Sequence, residues 1–372
     1  MYMNHSCPRC STPISPERMV GNVVVCECGW TGDKSVFEPK KRSLPIKKIM
    51  GALVVLAMGY MVYDGQKWGK HYPERLWYKA LSSIKMTSAK DEARMAFVCK
   101  QIENHKCSAE SYTKALAKAP KSHSLAGALG IELAKIGQHD RAILTFQNFF
   151  SYEDGEAEHK RHYAIALSGA GYTDDATEWF YQALQTKSNH FDAAKELVEH
   201  LAKNENYVEA LSVIGHYHTL FPKTRKKWSE MTDKVKNQYS AYTSQYDVKE
   251  IKISGLNKYL YAPVHFSNSS ETQLFMVDPE SEYLTLDLTF LQDHAVNFKD
   301  LGEKEVMATN GQYIKGTEVV LPELTVGPFA LKDVKAIACN NCAFMLGKKV
   351  MKRLNFQAKN TKGVKYITLS SK

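Results

Sequence analysis

The sequence predicts a multidomain α + β chain with a small cysteine-rich module, a single transmembrane helix, an α-helical solenoid and an all-β C-terminal domain. Three observations lead to this fold class: an uncharged apolar run at 49–63, a 34-residue periodicity from 89 to 224, and short alternating apolar segments after residue 246. With 372 residues, 44% of them hydrophobic, the chain has a globular composition and the length for two or three domains. A mainly disordered chain is excluded, and eight cysteines are too few for a disulfide-stapled scaffold.

The formal net charge of +9 is concentrated at the two ends of the chain. Residues 1–48 carry a net +4 and residues 343–372 a net +8, which leaves the body slightly acidic. A body that binds nucleic acid would carry a basic stripe, so we expect no nucleic-acid partner. For the basic segment Lys348 to Lys372 we favour a solvated strand edge, and attraction to an anionic membrane surface or an acidic partner is the alternative.

The N-terminal cysteines form two close pairs, Cys7-Pro-Arg-Cys10 and Cys26-Glu-Cys28. Zinc takes four ligands at tetrahedral angles, and two cysteine pairs on two turns supply them. The pattern resembles the small zinc ribbons at the N-termini of many bacterial proteins, with CxC in place of the commoner second CxxC. We expect a module over 1–38 that binds structural Zn²⁺ and takes its folding energy from the metal. His5 is a candidate substitute ligand, and redox or free thiol pairs are the alternative.

A run of fifteen uncharged residues, Ile49–Tyr63, follows a basic segment. A membrane span needs about 17–25 residues, and flanking lysines extend a short span by snorkelling. We expect 39–68 to form a basic flank and a transmembrane helix in the lipid bilayer, with a buried core helix as the alternative. Basic residues before the span favour a cytoplasmic N-terminus. The predicted localisation is the bacterial inner membrane, single-pass, with the C-terminal domains in the periplasm.

Residues recur with a period of 34 between residues 89 and 224. Gly137 and Gly171 are one period apart. Three further series keep the same step, namely Ala142, Ala176 and Ala210; Phe146, Phe180 and Ile214; and Leu133, Leu167 and Leu201. This pattern resembles the tetratricopeptide repeat (TPR), a helix–turn–helix unit. The units cover 123–156, 157–190 and 191–224, with a degenerate fourth at 89–122.

The TPR resemblance implies an array over 89–242 that ends in a capping helix, with an amphipathic lead-in helix in 69–88. Such arrays form a groove that commonly holds a peptide or a partner protein. The histidines of the array are read as surface or groove residues, and a metal site at His216 and His218 is disfavoured. These histidines are His139, His159, His162, His190, His200, His216 and His218.

From about Tyr246 the chain changes to short alternating apolar segments separated by Gly, Pro, Asn and Ser, which predicts a β-rich domain over 246–372. Its landmarks resemble the retropepsin-like aspartic proteases. They are Leu274–Asp278, Tyr283–Asp287, Ala308–Gln312, Leu324–Phe329, Met345–Gly347 and Leu354–Phe356. The resemblance places Asp278 at the catalytic aspartate. It also implies a homodimer in which each subunit gives one carboxylate to a pair that shares a proton.

The departure from that family falls on its catalytic motif. Where the family has Asp-Thr-Gly, this chain has Asp278-Pro279-Glu280. Pro279 has neither the threonine hydroxyl nor a backbone N–H, and Glu280 replaces the glycine that permits close approach of the backbone. We favour a non-catalytic domain. An active protease with an altered loop, and an unrelated β domain, are the alternatives.

Four further cysteines lie beyond residue 64. Cys339 and Cys342 form a CxxC pair without a βαβ context, so we favour a structural disulfide or free thiols over redox chemistry. Cys99 and Cys107 either pair or are simply buried.

These observations give two functional hypotheses. The first is a membrane-anchored interaction protein that binds a protein or peptide partner through the TPR groove, beside an inactive protease-like domain. The second is a membrane-tethered aspartic endopeptidase that acts as a homodimer through Asp278.

Overall fold

The structure, a computed structural model, describes residues 6–15, 19–20, 23–33, 72–83, 87–255, 260–269, 272–307, 313–361 and 364–372. The chain divides into two compact units, Met1–Tyr72 and Pro73–Lys372.

The N-terminal unit contains a small antiparallel sheet of three strands, β1 (Met19–Val20), β2 (Val23–Val25) and β3 (Thr31–Asp33). Within the described residues of this unit the apolar core is very small. Ile14 and Val24 are buried together with two cysteines, and the ring of Trp30 packs against them. Because so little apolar surface is buried, this core alone cannot hold the fold.

The predicted transmembrane segment 49–63 lies outside the described residues. Among the helices that are described, none combines the length and the apolar character needed to cross a bilayer. The longest, Arg225–Gln245, has 21 residues but carries several lysines. The predicted fold class was therefore wrong in including a transmembrane helix. The predicted inner-membrane localisation with periplasmic C-terminal domains is also contradicted. The described fold is a helical repeat region followed by a β region.

The helical region consists of antiparallel helices that follow one another by short turns. They are α1 Tyr72–Ser83, α2 Ala89–Gln101, α3 His105–Lys118, α4 His123–Lys135, α5 His139–Phe150, α6 Ala157–Gly169, α7 Thr173–Thr186, α8 Phe191–Lys203, α9 Tyr207–Leu220 and, after a 3₁₀ turn at Pro222–Thr224, α10 Arg225–Gln245. From α2 to α9, each helix begins 34 residues after its counterpart in the preceding pair.

The periodic residues explain how these helices end and pack. Gly137 and Gly171 follow α4 and α6 with φ of +73° and +89°, a conformation that glycine adopts without strain. Glu205 takes the corresponding place after α8 with φ of +61°. The alanines of the 34-residue series, at 142, 176 and 210, are fully buried, so their small side chains let neighbouring helices approach closely.

The β region contains two sheets. Its elements are β4 Glu250–Gly255, β5 Tyr261–Phe266, β6 Thr272–Val277, β7 Leu284–Asp287, α11 Leu288–Asp293, β8 Lys299–Met307, β9 Tyr313–Val326, β10 Phe329–Cys339, β11 Met345–Leu346, α12 Lys348–Met351, β12 Leu354–Thr361 and β13 Val364–Ser371. The larger sheet has the order β10-β7-β11-β6-β5-β9-β8, and β9 also pairs with β10. This second pairing closes six of the strands into a barrel, which encloses a large apolar core.

The smaller sheet has the order β12-β13-β4, so β12 lies at its edge. Of the basic residues in the described part of this segment, Lys348 and Lys349 lie on α12, and Lys359 and Lys365 lie on the strands β12 and β13.

Helix α9 packs directly against strands β4 and β5 of the β region. Its face toward the β region lacks a side chain at Gly215, where the Tyr261 ring packs so closely that a Cβ would lie 2.6 Å from it. Ser212 donates a hydrogen bond to the carbonyl oxygen of Ser254 (2.7 Å) and accepts one from the backbone N–H of Tyr261 (3.0 Å). Two strands are thus bonded to a single side chain of the helix.

A buried carboxylate lies in the same interface. Glu209 on α9 accepts hydrogen bonds from the hydroxyl of Tyr181 on α7 (3.2 Å) and from the hydroxyl of Ser254 on β4. Burial is the main reason that the pKa of Glu209 is raised above its ordinary value, and the positive charge of Lys252 opposes the shift. The helical region and the β region therefore share a polar network as well as an apolar contact.

Both remaining cysteine pairs form disulfides. Cys99 on α2 bonds to Cys107 on α3, with 5.7 Å between their Cα atoms. Cys339 at the end of β10 bonds to Cys342 in the following turn, with 5.4 Å between Cα atoms.

Candidate functional sites

The four N-terminal cysteines converge on one point. Their Sγ atoms all lie within 4.8 Å of one another. Two sulfur–sulfur contacts join the two turns: Cys7 to Cys28 at 3.7 Å, and Cys10 to Cys26 at 3.5 Å. A tetrahedral zinc with Zn–S bonds of about 2.3 Å places its sulfurs about 3.8 Å apart. The donor set and its spacing therefore fit a tetrahedral thiolate metal site.

Each cysteine pair stands on a tight turn that the backbone stabilises. In the first turn, Ser11 has φ of +59° and its N–H donates to the carbonyl of Cys7 (2.8 Å). In the second, Gly29 has φ of +79° and its N–H donates to the carbonyl of Cys26 (3.0 Å). The hairpin of β2 and β3 carries this second turn. These two turns bring the four thiols together.

The thiols differ in acidity. Hydrogen bonding from Thr12, by its side chain at 2.9 Å and by its backbone, lowers the pKa of Cys10 to about 6. A backbone hydrogen bond from Cys28 lowers the pKa of Cys26, but burial and the neighbouring thiols outweigh it and raise that pKa. Metals bind thiolates, so a bound cation would stabilise the charge on all four sulfurs together. His5 lies outside the described residues.

The Asp278 loop follows β6, as the sequence predicts, but its carboxylate is bonded within the loop. Asp278 Oδ1 accepts a hydrogen bond from the backbone N–H of Glu280 (3.0 Å), which forms a turn around Pro279. Asp278 and Pro279 are half-buried and Glu280 is exposed. One carboxylate oxygen is therefore occupied by the loop itself.

Strand β11 and the residues after it bind this loop through backbone hydrogen bonds. It lies between β6 and β7, and the carbonyl of Leu346 accepts the N–H of Asp278 at 3.0 Å. A Cβ on Gly347 would collide with the carbonyl of Tyr283, so only glycine fits there. The N–H of Lys348 donates to the carbonyl of Ser281 (2.7 Å). The loop is fixed by backbone contacts that do not depend on the Asp278 side chain. The predicted flap-side turn Ala308–Gln312 lies outside the described residues.

The helical region has a groove of about 490 Å³ between α8 and α10. Its floor is apolar, with Val198, Ala202, Met231 and Val235. Its rim carries Lys195, Lys203, Lys227 and Lys234 against Glu199 and Glu230. Lys195 is 3.9 Å from Glu199, whereas no ion pair of the other three lysines exists among the described residues. The groove therefore combines an apolar floor with uncompensated positive charge.

A charged network on α6 and α8 was not predicted. Arg161 binds both carboxylate oxygens of Glu196 at 2.8 Å and one of Glu158 at 2.8 Å. His190 Nε2 lies 3.0 Å from the other oxygen of Glu158. Burial raises the pKa of Glu196, and the bonds from Arg161 oppose that shift. The sequence signal was the near-periodic placement of opposite charges, because 161 and 196 are one residue off the 34-residue step.

The expectation that the histidines are surface or groove residues is wrong for three of them. His162, His200 and His216 are buried, since each lies on a face that packs against a neighbouring element. His216 and His218 do not belong to a metal cluster. Among the described residues, the four cysteines form the sole group of three or more His, Cys, Asp or Glu that is placed to hold a metal ion.

No protein-family profile matches the chain. No curated protein matches it in sequence. Among solved structures, the chain is similar to residues 41 to the end of MamA from Desulfovibrio magneticus RS-1, at 12% identity and a TM-score of 0.35, over 49% of this chain and 93% of that one.

It is also similar to YrrB, described as a TPR protein with an unusual peptide-binding site, at 19% identity and a TM-score of 0.34, over 44% of this chain and 92% of that one. A third likeness is to a retropepsin-like aspartic protease from Rickettsia conorii, at 18% identity and a TM-score of 0.26, over 34% of this chain and 94% of that one. At these identities and scores the likeness does not extend to function.

Proposed function

We propose that this chain is an interaction protein. Its helical array, a TPR array over 89–242, binds an acidic segment of a partner protein. The observation that carries the proposal is the groove between α8 and α10, with its apolar floor and three lysines that form no ion pair with any described residue. An amphipathic segment with carboxylates at its edges would bury apolar side chains on the floor and pair its charges with the rim. Opposite charges of this kind increase association rates and select the partner.

We propose that the β region forms a domain over 246–372. In this proposal it packs against the helical array as a rigid, non-catalytic domain. The shared-proton chemistry of aspartic proteases needs two carboxylates that face each other. A carboxylate has about four acceptor sites, so the bond from the N–H of Glu280 to Asp278 does not exclude catalysis. The sequence of the loop disfavours catalysis, because Pro279 has neither a hydroxyl nor an N–H to join a second loop and Glu280 replaces the glycine.

We propose further that the module over 1–38 binds Zn²⁺ as a structural metal through Cys7, Cys10, Cys26 and Cys28. Closed four-thiolate sites leave no open coordination position for a substrate. The metal would therefore stabilise the module and take no part in a reaction.

The groove is tested with a labelled amphipathic peptide of Glu and Leu residues and its Lys-for-Glu counterpart, by fluorescence anisotropy with the full chain. We expect the acidic peptide to bind and the basic one not to bind. Changing Lys203, Lys227 and Lys234 to Gln should weaken binding between about threefold and about 150-fold, because three charged contacts at exposed sites together contribute about 0.6–3 kcal/mol. A triple control, Lys121, Lys135 and Lys187 to Gln, removes the same charge outside the groove and should change little.

Equal binding of both peptides, or equal weakening by the control, would overturn the acidic-segment proposal. A separate measurement addresses catalysis: cleavage of a peptide library by the full chain, together with its mass in solution by light scattering. A dimer that cleaves peptides, and no longer does so as Asp278→Asn, would replace the interaction function by the endopeptidase.

A further inference from the structure

A second pocket, of about 520 Å³, lies where the helical region meets the β region. It is bounded by the end of α9, the start of α10, strands β5 and β6, and the segment before β11. None of its eleven lining residues belongs to the groove between α8 and α10. Pockets of this volume are typical of small-ligand sites.

One wall of the pocket is apolar. Leu274, Met276 and Phe344 line it and are each half-buried, so they present apolar surface to the cavity. Phe344 is held in place by edge-to-face contacts with Phe275 and Phe290, at 5.2 Å between ring centroids. The wall is therefore a fixed surface against which a hydrocarbon or aromatic group can pack.

The opposite wall is cationic. Arg225 Nε donates a hydrogen bond to the carbonyl oxygen of His218 (3.1 Å), which orients the guanidinium and leaves its two Nη groups for other acceptors. None of the eleven lining residues is acidic, and within the part of the chain that is described Arg225 and His218 have no ion pair with a carboxylate. The positive charge in this pocket lacks a counter-charge.

His218 lies beside Arg225 in this wall. Its Nε2 atom is shielded from solvent and has no hydrogen-bond partner among the described residues, so it does not face the open pocket. Burial, reinforced by the charges of Arg225 and Lys236, lowers the pKa of His218, so the ring stays neutral near pH 7. Of the lining residues, Arg225 therefore carries the positive charge of this wall. The amide of Gln273 also lines the pocket.

We propose that this pocket binds a carboxylate carried on an apolar body. The carboxylate would accept hydrogen bonds from the Nη groups of Arg225, and the apolar body would pack on Leu274, Met276 and Phe344. A free aryl- or alkyl-carboxylic acid and the C-terminus of a peptide with an apolar last residue share this chemistry. The site is separate from the peptide groove, so either can exist without the other.

The test is isothermal titration calorimetry of the full chain with 4-phenylbutyrate and with acetyl-Ala-Ala-Phe, each compared with its amide. We expect the carboxylates to bind and the amides to bind about tenfold or more weakly, because a charged hydrogen bond is lost. Tighter binding of the free acid assigns a small-molecule ligand, and tighter binding of the peptide assigns a C-terminus.

The matched variants are Arg225→Gln and Lys226→Gln, which remove one positive charge inside and outside the pocket on consecutive exposed residues. Arg225→Gln should weaken the carboxylate about tenfold, and Lys226→Gln should leave it unchanged. Ala343→Leu narrows the pocket at an exposed rim residue and should weaken the acid and the amide alike. Equal binding of acid and amide, equal effects of Arg225→Gln and Lys226→Gln, or no binding of any probe at millimolar concentration would overturn the proposal.

Discussion

The cysteine cluster and the Asp278 loop are both built on tight turns that carry candidate functional side chains. They differ in how far the local fold depends on those side chains. In the cluster, Cys7 and Cys26 belong to the small core of their unit, so two of the four candidate ligands are also core residues. The Asp278 loop is held by backbone bonds to β11 above a large apolar core that does not include Asp278. Loss of chemistry should therefore destroy the first site and leave the second folded.

The largest effect is expected at the cluster. Chelation of the metal, or Cys26→Ser, should unfold residues 23–33, because structural zinc supplies about 10–16 kcal/mol of apparent folding energy in such modules. Hydrogen exchange of the backbone amides and the zinc content of the purified chain measure this directly. Ser15→Ala, at an exposed position beside the cluster, is the control and should retain metal and protection. Full protection of these amides after chelation would show that the fold of the cluster does not depend on a metal.

The difference between the regions also decides what the sequence could predict. The cysteine spacing and the 34-residue step are local, so they pointed directly to the converging thiols and to the helix pairs. The strands β5 and β6 were visible as apolar segments for the same reason. Strand β11 was recognised through the landmark Met345–Gly347 but not as a strand, because it has two residues and its place between β6 and β7 depends on strands about 60–70 residues earlier.

The interface of α9 shows the limit of pattern reading more clearly. Glu209 has the sequence context of a surface helix residue, but its hydrogen-bonding partners are on α7 and β4. Nothing local marks it, since burial results from the docking of two regions. The cysteine pairs were left open for a similar reason, because pairing depends on the geometry that brings Cys99 to Cys107.

Glu209 tests whether the β region is stabilised away from the Asp278 loop. Glu209→Ala should lower the free energy of unfolding by about 2–3 kcal/mol, because the hydroxyls of Tyr181 and Ser254 lose a buried acceptor and a cavity forms. Chemical denaturation followed by tryptophan fluorescence gives the value. Glu199→Ala is the matched control. It is exposed and has one long surface ion pair, so its effect should stay below about 0.5 kcal/mol. Equal losses would show that burial of Glu209 does not matter.

The same carboxylate predicts a pH dependence. Burial raises the pKa of Glu209 above its ordinary value of 4.5. Below pH 4.5 both the folded and unfolded states hold the proton, so the stabilisation is complete. As pH rises through the folded-state pKa the folded state must ionise a buried group, and stability is lost.

Glu209→Gln removes this titration. The stability of the wild type relative to Glu209→Gln should therefore fall as pH is raised from about 4 to about 8, by at most about 1.4 kcal/mol per pH unit. Denaturation curves at several pH values test it. Parallel pH profiles for the two proteins would show that another group titrates.

The smallest effect is expected at Asp278, and it sharpens the comparison most. Asp278→Asn keeps a side-chain oxygen that can accept the N–H of Glu280, so stability should change by less than about 0.5 kcal/mol. Asp278→Ala loses that bond and should cost about 0.5–1.5 kcal/mol. Glu280→Gln, an exposed neutralisation in the same loop, is the control and should be silent. A loss of several kcal/mol in Asp278→Asn would mean that the carboxylate charge holds the loop, as the thiolates hold the cluster. The fold of the Asp278 loop would then depend on its candidate functional side chain, although its sequence, Asp278-Pro279-Glu280, departs from the protease motif that the domain resembles.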